Sequence, residues 1–211
     1  MTPGKFITLE GIDGAGKSTQ LAWIIELLQR AGLTAVVTRE PGGTPLGEQL
    51  RALLLDKSIS MHPETEALLM FAARREHLDK VILPALAQGR WVISDRFTDA
   101  SFAYQGGGRG LDSGKLAILE QWVQGALQPD LTLYFDVPVE LGQQRVSQIK
   151  SVDRFEKERA DFFQRVRAAY LDRAGQFPDR IKCIDSSQSL MEVKAAVEQT
   201  LKPLLNHEYY L

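Results

Sequence analysis

The residues from Gly11 to Ser18 read GIDGAGKS, a full match to the phosphate-binding pattern G-x-x-x-x-G-K-[ST]. The pattern follows an apolar, strand-like run and opens a helix-like run, which is the context that this loop requires. Glycines let the backbone curl around an anion, the lysine can reach the β- and γ-phosphates of a nucleotide, and the serine hydroxyl can hold Mg²⁺. The spacing therefore predicts that the chain binds ATP or GTP. The residues expected at the nucleotide are Gly11, Ile12, Asp13, Gly14, Ala15, Gly16, Lys17, Ser18 and Thr19.

Charged residues also follow two other strand-like runs. Arg39 follows TAVVT, and Asp95 and Arg96 follow WVIS. Open parallel sheets bind ligands at the carboxyl ends of their strands, so these side chains are expected near the phosphate loop. Asp95 is predicted to hold Mg²⁺, directly or through water, and the two guanidinium groups to grip a second phosphate. A further acid, Asp136 in LYFD, is interpreted instead as a cap of the helix that begins near Pro138.

The second, arginine-rich phosphate site distinguishes between classes of nucleotide-binding protein. The chain has no N-K-x-D segment of the kind that reads guanine in switch GTPases, and it is short for a motor or transporter ATPase. A small kinase needs an acceptor site made mostly of arginine beside its ATP site. The motifs therefore indicate phosphoryl transfer.

Four further segments resemble the thymidylate kinase family. They are Thr38–Thr44 (TREPGGT), Glu66–Arg75 (EALLMFAARR), Asp95–Gly110 (DRFTDASFAYQGGGRG) and Asp153–Glu156 (DRFE). The resemblance implies an α/β, P-loop NTPase fold, with a five-stranded parallel sheet flanked by helices on both faces, a mobile lid near 145–157, and one domain over 1–211. It implies transfer of the γ-phosphate of ATP to dTMP, giving dTDP for dTTP and DNA synthesis. The alternatives are a P-loop kinase of another nucleotide and a degenerate nucleotide-binding regulator.

The resemblance also implies roles on the acceptor side. Arg39 and Arg96 are expected to hold the acceptor phosphate, Asp13 to face the sugar 3′-hydroxyl, and Glu40 to assist the magnesium shell. Arg51 matches a residue near the acceptor phosphate or base, with a surface arginine on a helix as the alternative. The expected acceptor-binding residues are Asp13, Arg39, Arg51, Phe71, Arg74, Arg96, Ser101, Tyr104 and Gln105.

For the base, the resemblance implies an aromatic side chain and an arginine four residues later on the same helix face. Two registers compete, Met70 with Arg74 and Phe71 with Arg75, and the spacing from Glu66 favours Arg74. Further along, Ser101, Tyr104 and Gln105 are expected on a loop beside the base and sugar, and the glycines after them are expected to let Arg109 approach the site.

The lid departs from the family pattern. The phosphate loop has Gly14 where one subtype has arginine, yet the segment VSQIKSV, where the other subtype carries its arginine, has none. The matched position is Ile149, beside Lys150. The missing charge is therefore expected from Lys150, or else from Arg145 or Arg154. The predicted catalytic residues are Lys17, Arg39, Asp95, Arg96 and Lys150, with Ser18 and Asp95 as the metal ligands and Mg²⁺ with ATP as the cofactor.

Strand-like and helix-like runs alternate along the whole chain, which is typical of βαβ units and a parallel sheet. Strands are predicted at Phe6–Glu10, Thr34–Thr38, Trp91–Ser94, Leu131–Phe135 and Ile181–Ile184. Helices are predicted at Lys17–Ala31, Glu64–Gln88 with a bend near Pro84, Leu111–Gln124, Val139–Gln148, Glu156–Ala174 and Leu190–Leu205.

Composition bears on the partners and the location of the protein. The formal net charge of -2 argues against nucleic acid and anionic membranes as partners, so ATP and dTMP are the expected ones. The chain has 1 cysteine, Cys183, which is expected to be a buried filler, and this usage fits a cytoplasmic location. The resemblance implies a homodimer packed through helices.

Overall fold

The structure, a computed structural model, describes residues 4–147, 154, 158 and 160–209. Within these ranges five parallel strands form one sheet in the order β2-β3-β1-β4-β5. In this order β2 and β3 lie on one side of β1, and β4 and β5 lie on the other. The strand order therefore reverses at β1, the strand that the phosphate loop follows. The expected five-stranded parallel sheet is confirmed. The strands are β1 (Phe6–Glu10), β2 (Ala35–Arg39), β3 (Trp91–Asp95), β4 (Leu131–Asp136) and β5 (Ile181–Asp185).

Burial differs between the central and the edge strands. β1, β3 and β4 are almost completely buried, as expected for strands that are covered on both faces. β5 is an edge strand, and three of its five residues are exposed. Cys183 is one of them, so the prediction of a buried cysteine was wrong. An apolar run read from sequence alone does not tell whether its strand lies at the centre or the edge of the sheet.

Helices cover the sheet, and their bounds differ from the predicted ones mainly in three places. A helix at Pro45–Leu55 was not predicted, although Thr44 caps its N-terminus. The predicted loop around Tyr104 is helical instead, with a π-helical stretch. Another π-helical stretch precedes Pro84 and accounts for the expected bend. The helices are α1 (Lys17–Arg30), α2 (Pro45–Leu55), α3 (Pro63–His77), α4 (Leu83–Ala87), α5 (Thr98–Ser101), α6 (Ser113–Gln124), α7 (Val139–Ser147), α8 (Ala160–Gln176) and α9 (Leu190–Tyr209), with π-helical turns at Leu78–Ile82 and Phe102–Gly108.

Two apolar clusters form the core. Ile7 and Leu9 of β1 belong to the larger cluster with residues of α1, α8 and α9. Phe6 and Val92 belong to the other cluster with residues of α3, α4 and α6. Neighbouring residues of one strand thus enter different clusters, because side chains alternate between sheet faces. Among the described helices, none is long and apolar enough to cross a membrane.

Candidate active site

A cavity of about 650 Å³ lies at the carboxyl edge of the sheet, where the phosphate loop meets the ends of β2 and β3. This position is the one expected for a ligand site in an open parallel sheet. Gly14 and the first residues of α1 line one part of it, and Met70 and Arg74 of α3 line another. The predicted residues that line the cavity are Asp13, Gly14, Gly16, Lys17, Ser18, Thr19, Arg39, Glu40, Arg51, Met70, Arg74, Asp95, Arg96, Ser101, Tyr104, Gln105 and Arg145.

The phosphate loop has the backbone that its glycines permit. Gly11, Gly14 and Gly16 have φ values of 140°, 79° and 85°, in the region that favours glycine. Lys17, the first residue of α1, donates from Nζ to the carbonyl oxygens of Gly11 at 2.9 Å and Ile12 at 3.1 Å. Burial and the charge of Arg96 lower the pKa of the Lys17 ammonium. The lysine is thus folded back onto its own loop, where a phosphate would replace the carbonyl oxygens.

The side chains of Ile12 and Ala15 point away from the cavity. They are 3% and 0% exposed and belong to the larger apolar cluster. These two residues, like Gly11, are not among the described residues that line the cavity. Their predicted contribution to nucleotide binding is therefore limited to the path that they give the loop backbone.

Helix α7 packs directly on the phosphate loop. A Cβ atom at Gly14 would lie 2.1 Å from the carbonyl oxygen of Gly142, and a Cβ at Gly142 would lie 3.0 Å from the carbonyl oxygen of Asp13. Position 14 therefore has no room for a side chain. One turn further along α7, Arg145 donates from Nη1 to the carbonyl oxygens of Gly14 at 3.3 Å and Ser186 at 3.0 Å. This helix brings a guanidinium group to the loop from outside it.

Asp95 has an oxygen atom that fits a metal ligand. Its Oδ1 is buried and makes no hydrogen bond to any residue in the described part of the chain. Ser18 lines the same cavity. No group of three or more His, Cys, Asp or Glu side chains suited to a metal ion occurs among the described residues. Mg²⁺ in phosphoryl-transfer sites takes only one or two protein oxygens and completes its shell with phosphates and water, so this sparse donor set fits Mg²⁺.

Glu40 lines the cavity, but neighbouring side chains bind its carboxylate. Its carboxylate is buried, and Oε2 accepts a hydrogen bond at 2.7 Å from Nε of Arg74, while Oε1 lies 3.0 Å from Nδ1 of His77. These contacts compete with the expected role of Glu40 in the magnesium shell, which stays a prediction. Both carboxylate oxygens are already used inside the protein.

Arg96 has the only positive φ among the described non-glycine residues, at 70°. Its Nη2 donates to Oδ1 of Asp13 at 2.8 Å and to the hydroxyl of Tyr104 at 3.0 Å, and its Nε is buried without a hydrogen-bond partner among the described residues. Burial opposes its charge, but Asp13 and other acidic neighbours outweigh it and raise the pKa of the guanidinium. Arg96 therefore stays charged in a constrained conformation, a combination that is concentrated at functional sites.

Glu10 supports that conformation, and the motifs did not identify it. Its Oε1 accepts from the backbone nitrogen of Phe97 and its Oε2 from the hydroxyl of Tyr170, both at 2.8 Å. Burial, followed by the charge of Asp99, raises the pKa of Glu10 to about 8. The only feature of the sequence that points to this role is a glutamate at the end of a mostly apolar strand. Its hydrogen-bond partner Phe97 lies 87 residues away, so no local pattern predicts the contact.

Of the two arginines that were predicted for the base, Arg74 lies at the cavity. It is 2% exposed, lines the cavity, and donates from Nη2 to Oγ of Ser101 at 3.0 Å. Met70 lines the cavity too, whereas Phe71 belongs to the smaller apolar cluster and packs its ring 4.5 Å from Cζ of Arg74. Arg75 donates to the carbonyl oxygen of Val123, outside the cavity. Of the two predicted pairs, only Met70 with Arg74 lies among the described residues that line the cavity, and Phe71 instead contacts Arg74 from the core side.

A second buried carboxylate, Glu66, organises the opposite wall. It accepts hydrogen bonds from Gln105 at 2.8 Å and from Arg154 at 2.7 Å. Arg109 lies 3.4 Å from the same carboxylate. Arg154 also donates to the carbonyl oxygen of Leu54. Neither arginine is among the described residues that line the cavity, so the roles expected of Arg109 and Arg154 at the ligands stay predictions. Ile149, Lys150 and Asp153 lie outside the described residues.

The two remaining arginines line the cavity near its open side. Arg39 donates to Glu48 at 2.9 Å and is 54% exposed, and Arg51 donates to the carbonyl oxygen of Pro41 at 2.9 Å. The backbone N–H of Gly43 and the guanidinium of Arg39 hold the pKa of Glu48 below its usual range. Asp136, in contrast, binds Arg167 through both oxygens, at 2.7 and 2.8 Å, and is a structural residue, bound to α8 rather than to a metal or ligand.

Comparisons with known proteins agree with this geometry. The sequence profile described as thymidylate kinase matches residues 9–197. The thymidylate kinase of Nitrosospira multiformis is 67% identical over 198 residues, covering 94% of this chain and 97% of that protein. The thymidylate kinase of Nitrosomonas europaea is 67% identical over 202 residues, covering 96% and 94%. The crystal structure of thymidylate kinase from Ehrlichia chaffeensis matches with a TM-score of 0.76 at 37% identity, over 94% of this chain and 99% of that one. A profile that spans the phosphate loop, the arginine-lined cavity and most of the remaining chain settles the family: the chain belongs to the thymidylate kinase family.

Proposed function

We propose that this chain is an enzyme that transfers the γ-phosphate of ATP to the 5′-phosphate of dTMP, giving ADP and dTDP. The observation that carries this function is a single cavity that joins the phosphate loop to the buried Arg74, with Asp95 and Arg96 on its wall, in a member of the thymidylate kinase family. A kinase needs both substrates in one water-poor site, because positioning and charge stabilisation supply most of the catalysis of phosphoryl transfer.

The proposed reaction is an in-line displacement. A phosphate oxygen of dTMP forms a bond to the γ-phosphorus, the bond from that phosphorus to the β,γ-bridging oxygen breaks, and ADP leaves with the electron pair. Lys17 binds the β- and γ-phosphates, exchanging its two carbonyl partners for phosphate oxygens. Arg39 and Arg96 bind the acceptor phosphate and neutralise the repulsion between the two anions.

We assign Ser18 and Asp95 as the residues that hold Mg²⁺. The buried Oδ1 of Asp95, which has no hydrogen-bond partner in the described part of the chain, supports this assignment. When bound, the ion neutralises charge on the phosphates of ATP. Asp95 also lies one residue before Arg96, so the metal and the acceptor phosphate would be held by adjacent residues of one strand end.

The acceptor base and sugar are assigned to the part of the cavity around Arg74. The guanidinium nitrogen Nη1 of Arg74 is buried and has no hydrogen-bond partner among the described residues, so it can donate to a carbonyl oxygen of thymine. Met70 covers the ring in place of an aromatic side chain, and Asp13 faces the sugar hydroxyl. The further residues assigned to this part of the site are Arg51, Ser101, Tyr104 and Gln105.

The chain is assigned to the subtype without arginine in its phosphate loop. Because α7 fills the space beside Gly14, the loop itself cannot supply that cation. Lys150 is the residue that we assign to the transferred phosphate. Arg145, which binds the carbonyl oxygen of Gly14, is the described guanidinium group held against the loop and the alternative source of the charge. Arg154 is engaged by Glu66 and Leu54, which disfavours it for this role.

A homodimer packed through α3 and α6 is proposed as the assembly. Ile118 and Trp122 lie one turn apart on α6 and are 68% and 79% exposed, and Leu68 on α3 is 53% exposed. Large apolar side chains that are exposed together on adjoining helices mark interaction surfaces. The single cysteine remains the basis for predicting a cytoplasmic location.

The transfer itself can be followed with ATP labelled at its γ-phosphate. The label is expected in dTDP, in a one-to-one ratio with the ADP that is formed. Lys17→Met is expected to lower the rate by more than about 100-fold because it removes a cation at the transferred phosphate. Lys202→Ala, which changes an exposed lysine of α9, is the matched control. Release of labelled inorganic phosphate without labelled dTDP would contradict the proposed function.

A further inference from the structure

Buried polar side chains form one continuous chain from β2 through α3 to α5. Oγ1 of Thr38 lies 2.6 Å from Nε2 of His77, and Nδ1 of His77 lies 3.0 Å from Oε1 of Glu40. Nε of Arg74 donates to Oε2 of Glu40 at 2.7 Å, and Nη2 of Arg74 donates to Oγ of Ser101 at 3.0 Å. We call the three members Thr38, His77 and Glu40 the relay, because they connect β2 and the end of α3 to Arg74; Glu40 lines the cavity, and Thr38 and His77 are not among the described residues that line it.

Chemistry fixes the direction of these hydrogen bonds. The carboxylate of Glu40 only accepts, so His77 donates to it from Nδ1. In the neutral ring Nε2 is then an acceptor, and the hydroxyl of Thr38 donates to it. His77 and Glu40 are 0% and 5% exposed, so water cannot replace either partner. Each member therefore orients the next.

The glycines of the TREPGGT segment leave room for this arrangement. A Cβ atom at Gly43, where φ is 79°, would lie 2.6 Å from Nε2 of His77 and 2.6 Å from Oγ1 of Thr38. One short segment thus supplies two members of the relay and the space for the third. His77 itself is not among the described residues that line the cavity, so it has no direct access to a ligand there.

The consequence of the relay is seen at Arg74. Glu40 accepts a hydrogen bond from Nε of Arg74, and Ser101 accepts one from Nη2. The ring of Phe71 lies against the guanidinium group, 4.5 Å from Cζ. Only Nη1 is left, and it has no hydrogen-bond partner among the described residues. A guanidinium group held at two of its nitrogens and by a ring cannot rotate, so the direction of Nη1 is set by Glu40, and Glu40 is set by His77.

We propose that His77 is a positioning residue for recognition of the acceptor base: through Glu40 it holds Arg74 so that Nη1 faces a carbonyl oxygen of the pyrimidine. The inference rests on the proposed function, in which Arg74 binds thymine. Binding of dTMP, and discrimination against deoxynucleotides whose bases lack a matching acceptor, then depend on a residue that never touches the substrate.

The test compares His77→Leu with His77→Asn, since asparagine keeps an N–H donor near the position of Nδ1 and leucine does not. His77→Leu is expected to raise the KM for dTMP by about 10-fold, the effect of one well-oriented hydrogen bond, and to leave the KM for ATP within about 2-fold. His77→Asn is expected to recover most of the loss. A purely structural role would affect both substrates, and asparagine would not rescue it.

Arg74→Lys separates the inference from the proposed function. If Arg74→Lys raises the KM for dTMP while His77→Leu does not, the relay is refuted and the proposed function stands. If Arg74→Lys also leaves that KM unchanged, the assignment of Arg74 to the base is refuted. In the double variant, His77→Leu is expected to add less than about 2-fold to the effect of Arg74→Lys, because both changes act on one contact. Full additivity would overturn the inference.

If His77→Leu fails to fold, a second variant, Thr38→Val, still tests the relay. Thr38→Val removes the outer hydrogen bond of the relay, and Thr38 is only half-buried on the edge strand β2. A rise of about 3-fold in the KM for dTMP, with an unchanged KM for ATP, supports the relay. An unchanged KM for dTMP in a folded Thr38→Val enzyme, with no rescue by His77→Asn, contradicts it.

Discussion

The cationic side chains on the cavity wall differ in the hydrogen-bond or ion-pair partner that a ligand would have to displace. Lys17 is bound by neutral carbonyl groups, and Arg39 by a carboxylate that is partly exposed. Both contacts are weak enough to be exchanged for phosphate oxygens. Arg74, in contrast, is paired with a buried carboxylate that water cannot replace, so its contacts persist when a substrate binds. In the proposed function, the exchangeable cations Lys17 and Arg39 bind phosphates, and the fixed Arg74 binds the base.

Lys150 is the proposed source of the cation that the phosphate loop lacks. Lys150→Ala is expected to lower kcat by about 10-fold or more and to raise the KM for ATP by less, because a charge at the transferred phosphate acts mainly in the transition state. Steady-state rates at saturating dTMP measure both constants, with Lys202→Ala as the control. An unchanged kcat would contradict the assignment and direct attention to Arg145.

Glu10 makes stability depend on pH. Its pKa of about 8 in the folded chain lies above the ordinary value, so between pH 5 and pH 8 the folded chain keeps a proton that the unfolded chain has lost. The contribution of Glu10 to stability is therefore fully present at low pH and is lost as the pH rises through about 8. Glu10→Gln stays neutral and removes this loss.

The expected result is a gain in stability of Glu10→Gln relative to the wild type, by more than about 1.4 kcal/mol between pH 5 and pH 8, the value of one pKa unit. Urea unfolding at several pH values measures the gain. Glu26→Gln, at an exposed position of α1, is the control. Parallel pH profiles of the wild type and Glu10→Gln would refute the raised pKa.

At the scale of elements, the position of the phosphate loop depends on its contact with α7. The carbonyl oxygen of Gly142 occupies the space beside Gly14, and the loop and the helix can approach this closely because both residues are glycines. The same contact holds α7 against the loop, and Arg145 lies one turn further along this helix. A change at position 14 should therefore disturb the helix as well as the loop.

Gly14→Ala tests this contact, and Gly32→Ala is its matched control. Both glycines have positive φ, 79° and 70°, but a Cβ at position 32 meets nothing within 4 Å. The control is expected to cost about 1 kcal/mol of unfolding free energy from backbone strain alone. Gly14→Ala is expected to cost clearly more and to weaken ATP binding by at least about 10-fold. Equal losses in thermal unfolding would show that the contact with α7 does not matter.

Local patterns predicted the elements around the phosphate loop, but not α2 or the helical turns around Tyr104. The strand, loop and helix around Lys17 follow from spacing and glycine positions. Arg74 could be chosen over Arg75 from spacing, but its partner Glu40 lies 34 residues away and no local pattern connects them. Phe71 faces the core because the π-helical turn Leu78–Ile82 and α6 cover that side of α3. Helical periodicity alone does not reveal which side of a helix is covered.

At the scale of the whole molecule, the exposed face of α3 and α6 is the feature that the single chain does not explain. Trp122 is 79% exposed, although an indole of this size usually finds partners. Burial of such side chains against a second copy would keep both active sites open, because Trp122, Ile118 and Leu68 are not among the described residues that line the cavity.

Trp122→Glu is expected to convert the proposed homodimer into monomers, because a charge would be buried at the centre of an apolar contact. Light scattering after gel filtration measures the mass. Met191→Glu, at an apolar side chain of α9 that is 82% exposed, is the matched control and should leave the mass unchanged. A dimeric Trp122→Glu protein would place the interface elsewhere.

The most direct test of the account is the rate of ADP formation from ATP and Mg²⁺ with a panel of acceptors, the deoxynucleoside monophosphates of thymine, uracil, cytosine, adenine and guanine. The account predicts strong turnover with dTMP, weaker turnover with dUMP and little with the others, because one cavity holds ATP phosphates on the loop and a pyrimidine at Arg74. Preferred turnover of another monophosphate would contradict the assignment of the base, and binding of ATP without turnover of any acceptor would contradict the proposed kinase activity.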